Sequence, residues 1–186
     1  MQIDDPNGPY AGVTKENRLK TRSVGELFDA HENHHHGTVW SLPFFDIDPV
    51  GANDKFFYIT NTGTKDIAIS DARVSCGTTT GRMYIKKVTG TPTFTAGADI
   101  TPVTRNTVKS PNLGATVKSD TDTTGLTDDG TIFFLELDTV DKLFHLKTSS
   151  LIIISPGKAV ALEWVAATGT VSGIVSVIEL PNADEI

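Results

Sequence analysis

A histidine-rich segment is the part of this chain that comes closest to a catalytic or metal-binding motif. It reads His31-Glu32-Asn33-His34-His35-His36. Imidazoles are the commonest protein ligands of zinc, copper and nickel, and on a helix His31 and His35 would share one face. The first five residues also fit, letter for letter, the HExxH pattern of zinc proteases.

The residues around this segment do not suit a zinc protease. That motif needs a well-packed helix and a third ligand downstream, whereas this segment is short, polar and ends at Gly37. The remaining histidine, His145, falls in a predicted strand. We expect a polar surface or interface segment. Adventitious or interchain metal binding is the alternative, and a metal-dependent hydrolase using His31, Glu32 and His35 ranks well behind both.

An acidic stretch at residues 120–130 is the second candidate for ion binding. Asp120, Asp122, Asp128 and Asp129 alternate there with threonines and glycines. This resembles a calcium loop, because Ca²⁺ takes about six to eight oxygen ligands. An EF-hand loop also needs a glutamate at its twelfth position and a flanking pair of helices, and the sequence predicts neither. We therefore predict a solvated pair of turns before a strand at residues 131–137.

The one cationic cluster lies near the start of the chain and comprises Lys15, Arg18, Lys20 and Arg22. No aromatic residue interleaves it, and the whole chain carries a net charge of −7. Nucleic-acid binding requires a basic field, so we expect this cluster to dock on an acidic protein surface instead. Neither a GxSxG elbow nor a phosphate-binding glycine motif is present. Trp40 and Trp164 are predicted to pack in a core or interface, with a sugar site as the alternative.

Composition indicates one folded domain of ordinary size. The 186 residues suffice to bury a core without metal or disulfide bonds. Cys76 is the sole cysteine, which excludes an intramolecular disulfide and a cysteine-based zinc site. The acidic start lacks the apolar segment of a signal peptide, and no apolar run is long enough to span a bilayer. We expect synthesis in a cytoplasm.

Residues 1–37 differ from the rest of the chain and are predicted to form an arm. Asp5-Pro6-Asn7-Gly8-Pro9 is a cluster of turn residues. Ser23 and Glu26 have the spacing of a capping box for a short helix across Glu26–Asn33. The apolar face of that helix would comprise Leu27, Phe28 and Ala30.

From Thr38 onward, strand-like runs alternate with turn residues. The predicted strands cover residues 39–47, 56–60, 66–74, 82–88, 131–137, 143–146, 151–155, 159–166 and 173–179, with weaker candidates at 94–103 and 115–117. Such spacing with hardly a helical period is typical of an antiparallel sandwich or jelly roll. Pro43 indicates an edge or a bulge.

Three local predictions follow from turn chemistry and alternation. The turn Asn61-Thr62-Gly63-Thr64 is predicted to join the second and third strands as a hairpin. Gly90-Thr91-Pro92 is predicted to end a strand, and Asp128-Asp129-Gly130 to form a turn. In the strand at 159–166, Val160, Leu162 and Trp164 are predicted to face the core.

Several segments taken together resemble a family of tailed-bacteriophage virion proteins. They are Val13 with Asn17-Arg18-Leu19, PVGANDKFFYI at residues 49–59, Asn61-Thr62-Gly63, Thr124-Gly125-Leu126-Thr127, and residues 143–157 with LKTSSLIIISPG. The resemblance runs from about residue 13 to residue 178. It implies a β-rich structural protein of the virion, a capsid cement or decoration protein, that forms homo-oligomers, with a trimer favoured over a dimer. The histidine segment has no counterpart in this family.

The sequence thus predicts an all-β protein, with an antiparallel β-sandwich of jelly-roll type over residues 38–186 after the arm at residues 1–37. We expect it to bind and stabilise the outer surface of a phage capsid, with the arm contacting the major capsid protein or sister subunits. The alternative is a tail- or head-fibre component or a glycan-binding module of the virion. We expect no enzyme activity, catalytic residue, cofactor or metal, and neither nucleic acid nor membrane as a partner.

Overall fold

The computed structural model describes residues 38–108, 111–166 and 169–180, with the side chains of residues 147–151 excepted. The predicted arm lies outside the described residues, and with it the histidine segment and the cationic cluster. The described part of the chain forms two antiparallel sheets from strands β1 Val39–Ile47, β2 Asp54–Asn61, β3 Ile67–Cys76, β4 Gly81–Phe94, β5 Ala98–Asp99, β6 Val103–Thr104, β7 Ala115–Ser119, β8 Thr123–Leu137, β9 Phe144–Ile154, β10 Ala159–Val165 and β11 Val171–Glu179. Across these ranges there is no helix with the length and apolar character to cross a membrane.

The long strands pair in a nested order. β1 pairs with β11, β2 with β10, β3 with β9 and β4 with β8, always antiparallel. One sheet therefore has the order β6-β1-β11-β3-β9 and the other β5-β7-β2-β10-β4-β8. The predicted antiparallel β-sandwich is confirmed. The short strands β5, β6 and β7 widen both sheets on one side, and β8 and β9 are the edge strands on the other.

The core lies between the sheets and is built by alternate residues of each strand. On β10, Val160, Leu162 and Trp164 belong to this core, as predicted. The opposite face of β10 is buried as well, because Ala159 and Ala161 pack in a second, smaller cluster outside the six-stranded sheet. Alternation along one strand does not predict that second layer.

The predicted hairpin at residues 56–76 is wrong. β2 lies in the six-stranded sheet and β3 in the five-stranded sheet, so the turn at Asn61 carries the chain from one sheet to the other. The buried Asn61 side chain donates from Nδ2 to the carbonyl oxygens of Ile154 at 2.7 Å and Lys65 at 2.8 Å. These bonds tie the crossover to the end of β9. Asn, Thr and Gly suit either a hairpin turn or a crossover between sheets. The hydrogen bond to Ile154, which is distant in sequence, fixes the crossover here.

Strands β4 and β8 run longer than predicted. The predicted break at Gly90-Thr91-Pro92 and the predicted turn at Asp128-Asp129-Gly130 are both wrong, because these residues lie within β4 and β8. Gly90 and Gly125 have φ angles of 99° and 74°. A Cβ atom added at Gly90 would lie 2.6 Å from the backbone oxygen of Gly125. One added at Gly125 would lie 2.5 Å from the backbone oxygen of Thr91. The two glycines let the paired strands bend without separating.

Other strand limits differ less. The predicted strands at 143–146 and 151–155 form the single strand β9, and residues 94–103 contribute only to the end of β4, to β5 and to the start of β6. β6 pairs with β1 only as far as Ser41, so on that side Pro43 lies on an open edge of β1. Pro43 also lies next to a register irregularity between Phe44 and Ile47 in the pairing of β1 with β11. The prediction of an edge or bulge at Pro43 is confirmed.

Candidate interaction surface

The acidic stretch at residues 120–130 does not form a calcium loop. Asp120 is buried, and its carboxylate accepts hydrogen bonds from the backbone N–H groups of Thr95 at 2.7 Å and Ala96 at 2.9 Å. Asp128 pairs with lysines within the sheet. The described ranges hold no group of three or more His, Cys, Asp or Glu arranged for a metal ion. Of the predicted pair of turns, residues 120–122 do connect β7 to β8, but residues 123–130 belong to β8.

The tryptophans and His145 do not form a site. Trp40 and Trp164 are buried at 2% and 0% exposure, so both pack in the core and neither can line a sugar site. His145 lies in β9, as the sequence predicts, and its Nε2 contacts the Asp71 carboxylate. Asp71 also pairs with the Arg73 guanidinium at 3.2 Å. These three side chains form a polar cluster at the surface of the five-stranded sheet.

Exposed apolar side chains concentrate at the end of β8 and in the connection to β9. Ile132, Phe133 and Phe134 of β8 are 43%, 40% and 53% exposed. Val140 and Leu143 follow in the connection at 41% and 60%. We call these five side chains the apolar edge. β8 and β9 are the edge strands of the two sheets, so the apolar edge lies on one lateral side of the sandwich.

The strand that carries the apolar edge lacks the lysines and prolines that protect many edge strands. An edge strand presents unpaired N–H and C=O groups, and proteins protect it with lysines, prolines or a short length. β8 has 15 residues and contains no lysine, arginine or proline. Its segment TIFFLEL combines high β-propensity with a single charge. Another protein that covers this side would pair its backbone and bury its side chains.

A preorganised polar cluster flanks the apolar edge on the outer face of the six-stranded sheet. Arg82 lies opposite Glu136, and Tyr84 lies opposite Phe134. The Arg82 guanidinium donates to both Glu136 oxygens at 2.7 and 3.3 Å and to the Tyr84 hydroxyl at 3.1 Å. Its Cζ lies 5.4 Å from the Phe134 ring centroid. The bonds to Glu136 and Tyr84 raise the pKa of Arg82. Tyr and Arg are enriched at the centres of protein interfaces.

An ion-pair network built around the buried Glu163 lies on the same outer face. It takes one residue from each of four neighbouring strands: Lys55 of β2, Glu163 of β10, Lys86 of β4 and Asp128 of β8. The Glu163 side chain is 3% exposed, and its oxygens lie 2.7 Å from Lys86 Nζ and 3.3 Å from Lys55 Nζ. Both lysines also reach Asp128, at 2.7 and 2.9 Å. We call these four residues the ion-pair network.

The charges of the ion-pair network stabilise one another. Partial burial acts to lower the pKa of Lys86, but hydrogen bonds to Asp128 and Glu163 outweigh it, so the pKa of Lys86 is raised. Burial likewise acts to raise the pKa of Asp128, yet the bonds from Lys86 and Lys55 lower it overall. Both shifts favour the charged forms, so the ion pairs that join the four strands are retained at neutral pH.

Neither the apolar edge nor the ion-pair network was predicted as a site. Residues 131–137 were predicted only as a strand, and no role was predicted for Glu163. The available signal was the run of four apolar residues from Ile132 to Leu135, which breaks the alternation expected of a half-exposed strand.

No protein-family model matches the chain, and neither the curated proteins nor the solved structures include a significant match to it. The proposed function therefore rests on the resemblance of the sequence to phage virion proteins, together with the surface geometry of the described residues.

Proposed function

We propose that this protein is a virion structural protein that binds the outer surface of a phage capsid and stabilises it, and that its sandwich is a jelly roll. Without the short strands β5–β7, the sheet orders reduce to β1-β11-β3-β9 and β2-β10-β4-β8. This nested order of eight strands supports a jelly roll, a fold that recurs in viral capsid and lectin domains. A fold alone does not define a function, so the surface must carry the argument.

The resemblance to phage virion proteins suggests the capsid as the partner, and the apolar edge is the structural observation that supports a contact surface. Three consecutive large apolar side chains, 40–53% exposed on an edge strand of 15 residues, form an apolar patch of the kind that is often a binding site. Carboxylates of Glu136 and Asp138, with side chains 54% and 67% exposed, lie next to it. The complementary surface would have an apolar centre and basic groups at its rim.

The binding free energy of the apolar edge indicates whether this edge alone could attach the protein to a capsid. If the five side chains each bury roughly 80 Å², about 25 cal/mol per Å² gives a gross gain of about 10 kcal/mol. The loss of translational and rotational freedom on association costs about 4–15 kcal/mol. The apolar edge alone would therefore bind weakly. A second contact through the arm at residues 1–37 would raise the affinity through effective concentration.

The proposal is tested with capsids that lack this protein. We expect the double variant Phe133→Lys and Phe134→Lys to lower capsid occupancy by at least about tenfold, a loss of 1.4 kcal/mol or more, in a sedimentation assay. The matched control is Val108→Lys, since Val108 is 89% exposed and follows β6 on the other side of the sandwich. Normal occupancy of the double variant would contradict the proposal.

One observation favours the alternative of a glycan-binding module. The exposed Phe134 ring lies beside the fixed Arg82 and Glu136 side chains, and an aromatic face with oriented polar groups suits a ligand with both apolar and hydroxyl surface. A glycan array separates the two functions. Glycan binding that Phe134→Ala abolishes and Ile132→Lys leaves intact would favour the module over the capsid protein.

A further inference from the structure

Four connections meet at one end of the sandwich, and each passes from one sheet to the other. They are β1–β2 at residues 48–53, β3–β4 at 77–80, β8–β9 at 138–143 and β10–β11 at 166–170. Register places Ile47 opposite Val171 and Val171 opposite Cys76, so β1, β11 and β3 begin or end at one level. The N–H of Asp141 donates to the Cys76 carbonyl oxygen at 2.8 Å, which brings the β8–β9 connection to the same level. We call this side of the molecule the loop end.

Hydrogen bonds also tie the other connections of the loop end to one another. The Asp48 carboxylate accepts a bond from the N–H of Gly169 at 3.2 Å, which joins the β1–β2 and β10–β11 connections. The N–H of Gly77 donates to the Thr170 carbonyl oxygen at 2.8 Å, which joins the β3–β4 and β10–β11 connections. The loop end is therefore preorganised, and a preorganised surface loses little conformational freedom when it binds a partner.

Large apolar side chains are exposed at the loop end. Val50 in the β1–β2 connection is 69% exposed, and Phe45 near the end of β1 is 67% exposed. Val140 and Leu143 of the apolar edge lie in the β8–β9 connection and so belong to the loop end as well. The apolar edge is thus continuous with the loop end, and exposed apolar patches of this kind mark binding sites.

The opposite end of the sandwich differs from the loop end in polarity and in charge. Its sheet-to-sheet connections, residues 62–66 and 155–158, contain no large apolar side chain and carry two lysines and one aspartate. Lys142 is the one cation in the connections of the loop end. The exposed carboxylates there are those of four aspartates: Asp46, Asp48, Asp138 and Asp141. A complementary partner surface would have an apolar centre and basic groups around it, as the apolar edge also requires.

The area of the apolar edge alone is small for a specific attachment. At roughly 80 Å² for each of its five side chains it buries about 400 Å², whereas a standard interface takes about 800 Å² from each partner. From β1 to β9 the loop end spans three interstrand spacings of the five-stranded sheet, about 14 Å. A partner surface that covers both the apolar edge and the loop end would supply the missing area.

We propose that the sandwich is attached to the capsid by its loop end, with a contact that runs from the apolar edge across the connections to Val50 and Phe45. The partner is the capsid surface that contacts the apolar edge, with an apolar centre and a basic rim. This inference rests on the proposed function and adds the orientation of the sandwich. Its strands point away from the shell, and the connections at residues 62–66 and 155–158 face solvent.

Sedimentation of the full chain with capsids that lack this protein tests the inference. The loop-end variant combines Phe45→Lys and Val50→Lys. We expect it to lower capsid occupancy by at least about tenfold, because its lysines would be buried without a partner. The matched control variant combines Val103→Lys and Val108→Lys, whose native side chains are 53% and 89% exposed. These two valines flank Arg105, which bonds the start of β1 and so lies toward the opposite end. The control variant should keep normal occupancy.

The double variant Phe133→Lys and Phe134→Lys separates this inference from the proposed function. If that variant loses occupancy and the loop-end variant keeps it, the orientation is overturned and the capsid function stands. Normal occupancy of both variants would contradict the proposed function and the orientation together. An equal loss in the control variant would also overturn the orientation, because the contact would then not be confined to the loop end and the apolar edge.

A milder substitution decides the matter if the loop-end variant does not fold. Val50→Cys should react with a maleimide reagent at least about tenfold more slowly on the capsid than in the free protein, since a covered side chain is protected. Val108→Cys should react at the same rate in both states. Native Cys76 is buried at 0% exposure, so its labelling would reveal unfolding. Equal labelling of Val50→Cys in the two states would overturn the orientation.

Discussion

Replacing Glu163 with glutamine removes the buried anion of the ion-pair network and nearly keeps the volume of the side chain. Lys86 and Lys55 lie 2.7 and 3.3 Å from the Glu163 oxygens. After the substitution, Asp128 alone balances two lysines whose side chains are 15% and 13% exposed. The four strands β2, β10, β4 and β8 lose the central contact that joins them on this face.

The expected cost follows from these distances. With an effective dielectric constant of about 20, the two attractions are about 6 and 5 kcal/mol. Desolvation of the buried ions offsets several kcal/mol per ion. Removing one partner of a buried pair costs about 3–5 kcal/mol, and because Asp128 remains we expect about 3 kcal/mol for Glu163→Gln. At about 2–4 °C per kcal/mol for a domain of this size, the melting temperature should fall by about 6–12 °C.

Calorimetry and urea unfolding measure this effect. The matched control is Asp129→Asn, because Asp129 follows Asp128 in β8 and pairs with Lys87, with both side chains at least half exposed at 50% and 53%. We expect no resolvable change in the control. A Glu163→Gln variant whose melting temperature stays within about 2 °C of the parent would refute the claim that the network holds the four strands together.

Two further predictions concern stability. The free energy of unfolding should fall as the pH rises above about 10.5. The pKa of Lys86 is raised above 10.5 in the folded protein, so its ion pairs stabilise the fold fully below that pH. This stabilisation is lost as the pH rises through the folded pKa of Lys86. Urea unfolding at graded pH measures this loss of stability. The Lys86→Met variant should lose less stability over the same pH range, and an equal loss would contradict the assignment of the effect to Lys86. Trp164→Phe should cost about 1 kcal/mol less than Trp40→Phe in the same assay. Both rings are buried, but Trp40 Nε1 donates to the Pro111 carbonyl oxygen at 3.2 Å, whereas Trp164 Nε1 has no hydrogen-bond partner among the described residues. Equal costs for the two substitutions would show that the Trp40 hydrogen bond does not contribute to stability.

Strands with strong local signals were predictable from the sequence. β1, β10 and β11 have alternating or apolar runs bounded by turn residues, and their limits agree with the prediction to within two residues. The inward face of β10 was predictable for the same reason, since Val160, Leu162 and Trp164 form its larger apolar side. These features depend on neighbouring residues and so are visible in a local pattern.

Features that depend on distant partners were not predictable. The Asn61 turn became a crossover because its amide bonds Ile154 at the end of β9. The first half of β8 is polar and reads as a loop, but Asp128 pairs with Lys86 of β4 and stays in the sheet. The exposure of Phe133 and Phe134 follows from the position of β8 at the edge, which the sequence does not specify.

The central claim is that the apolar edge of β8 contacts the outer surface of a capsid. A reconstruction of the virion that contains this chain tests it most directly, because it locates the sandwich and shows which side meets the shell. We expect the chain on the outer capsid surface, with Ile132, Phe133 and Phe134 buried in the contact. A chain located in the tail, or one on the capsid with these three side chains facing solvent, would contradict it.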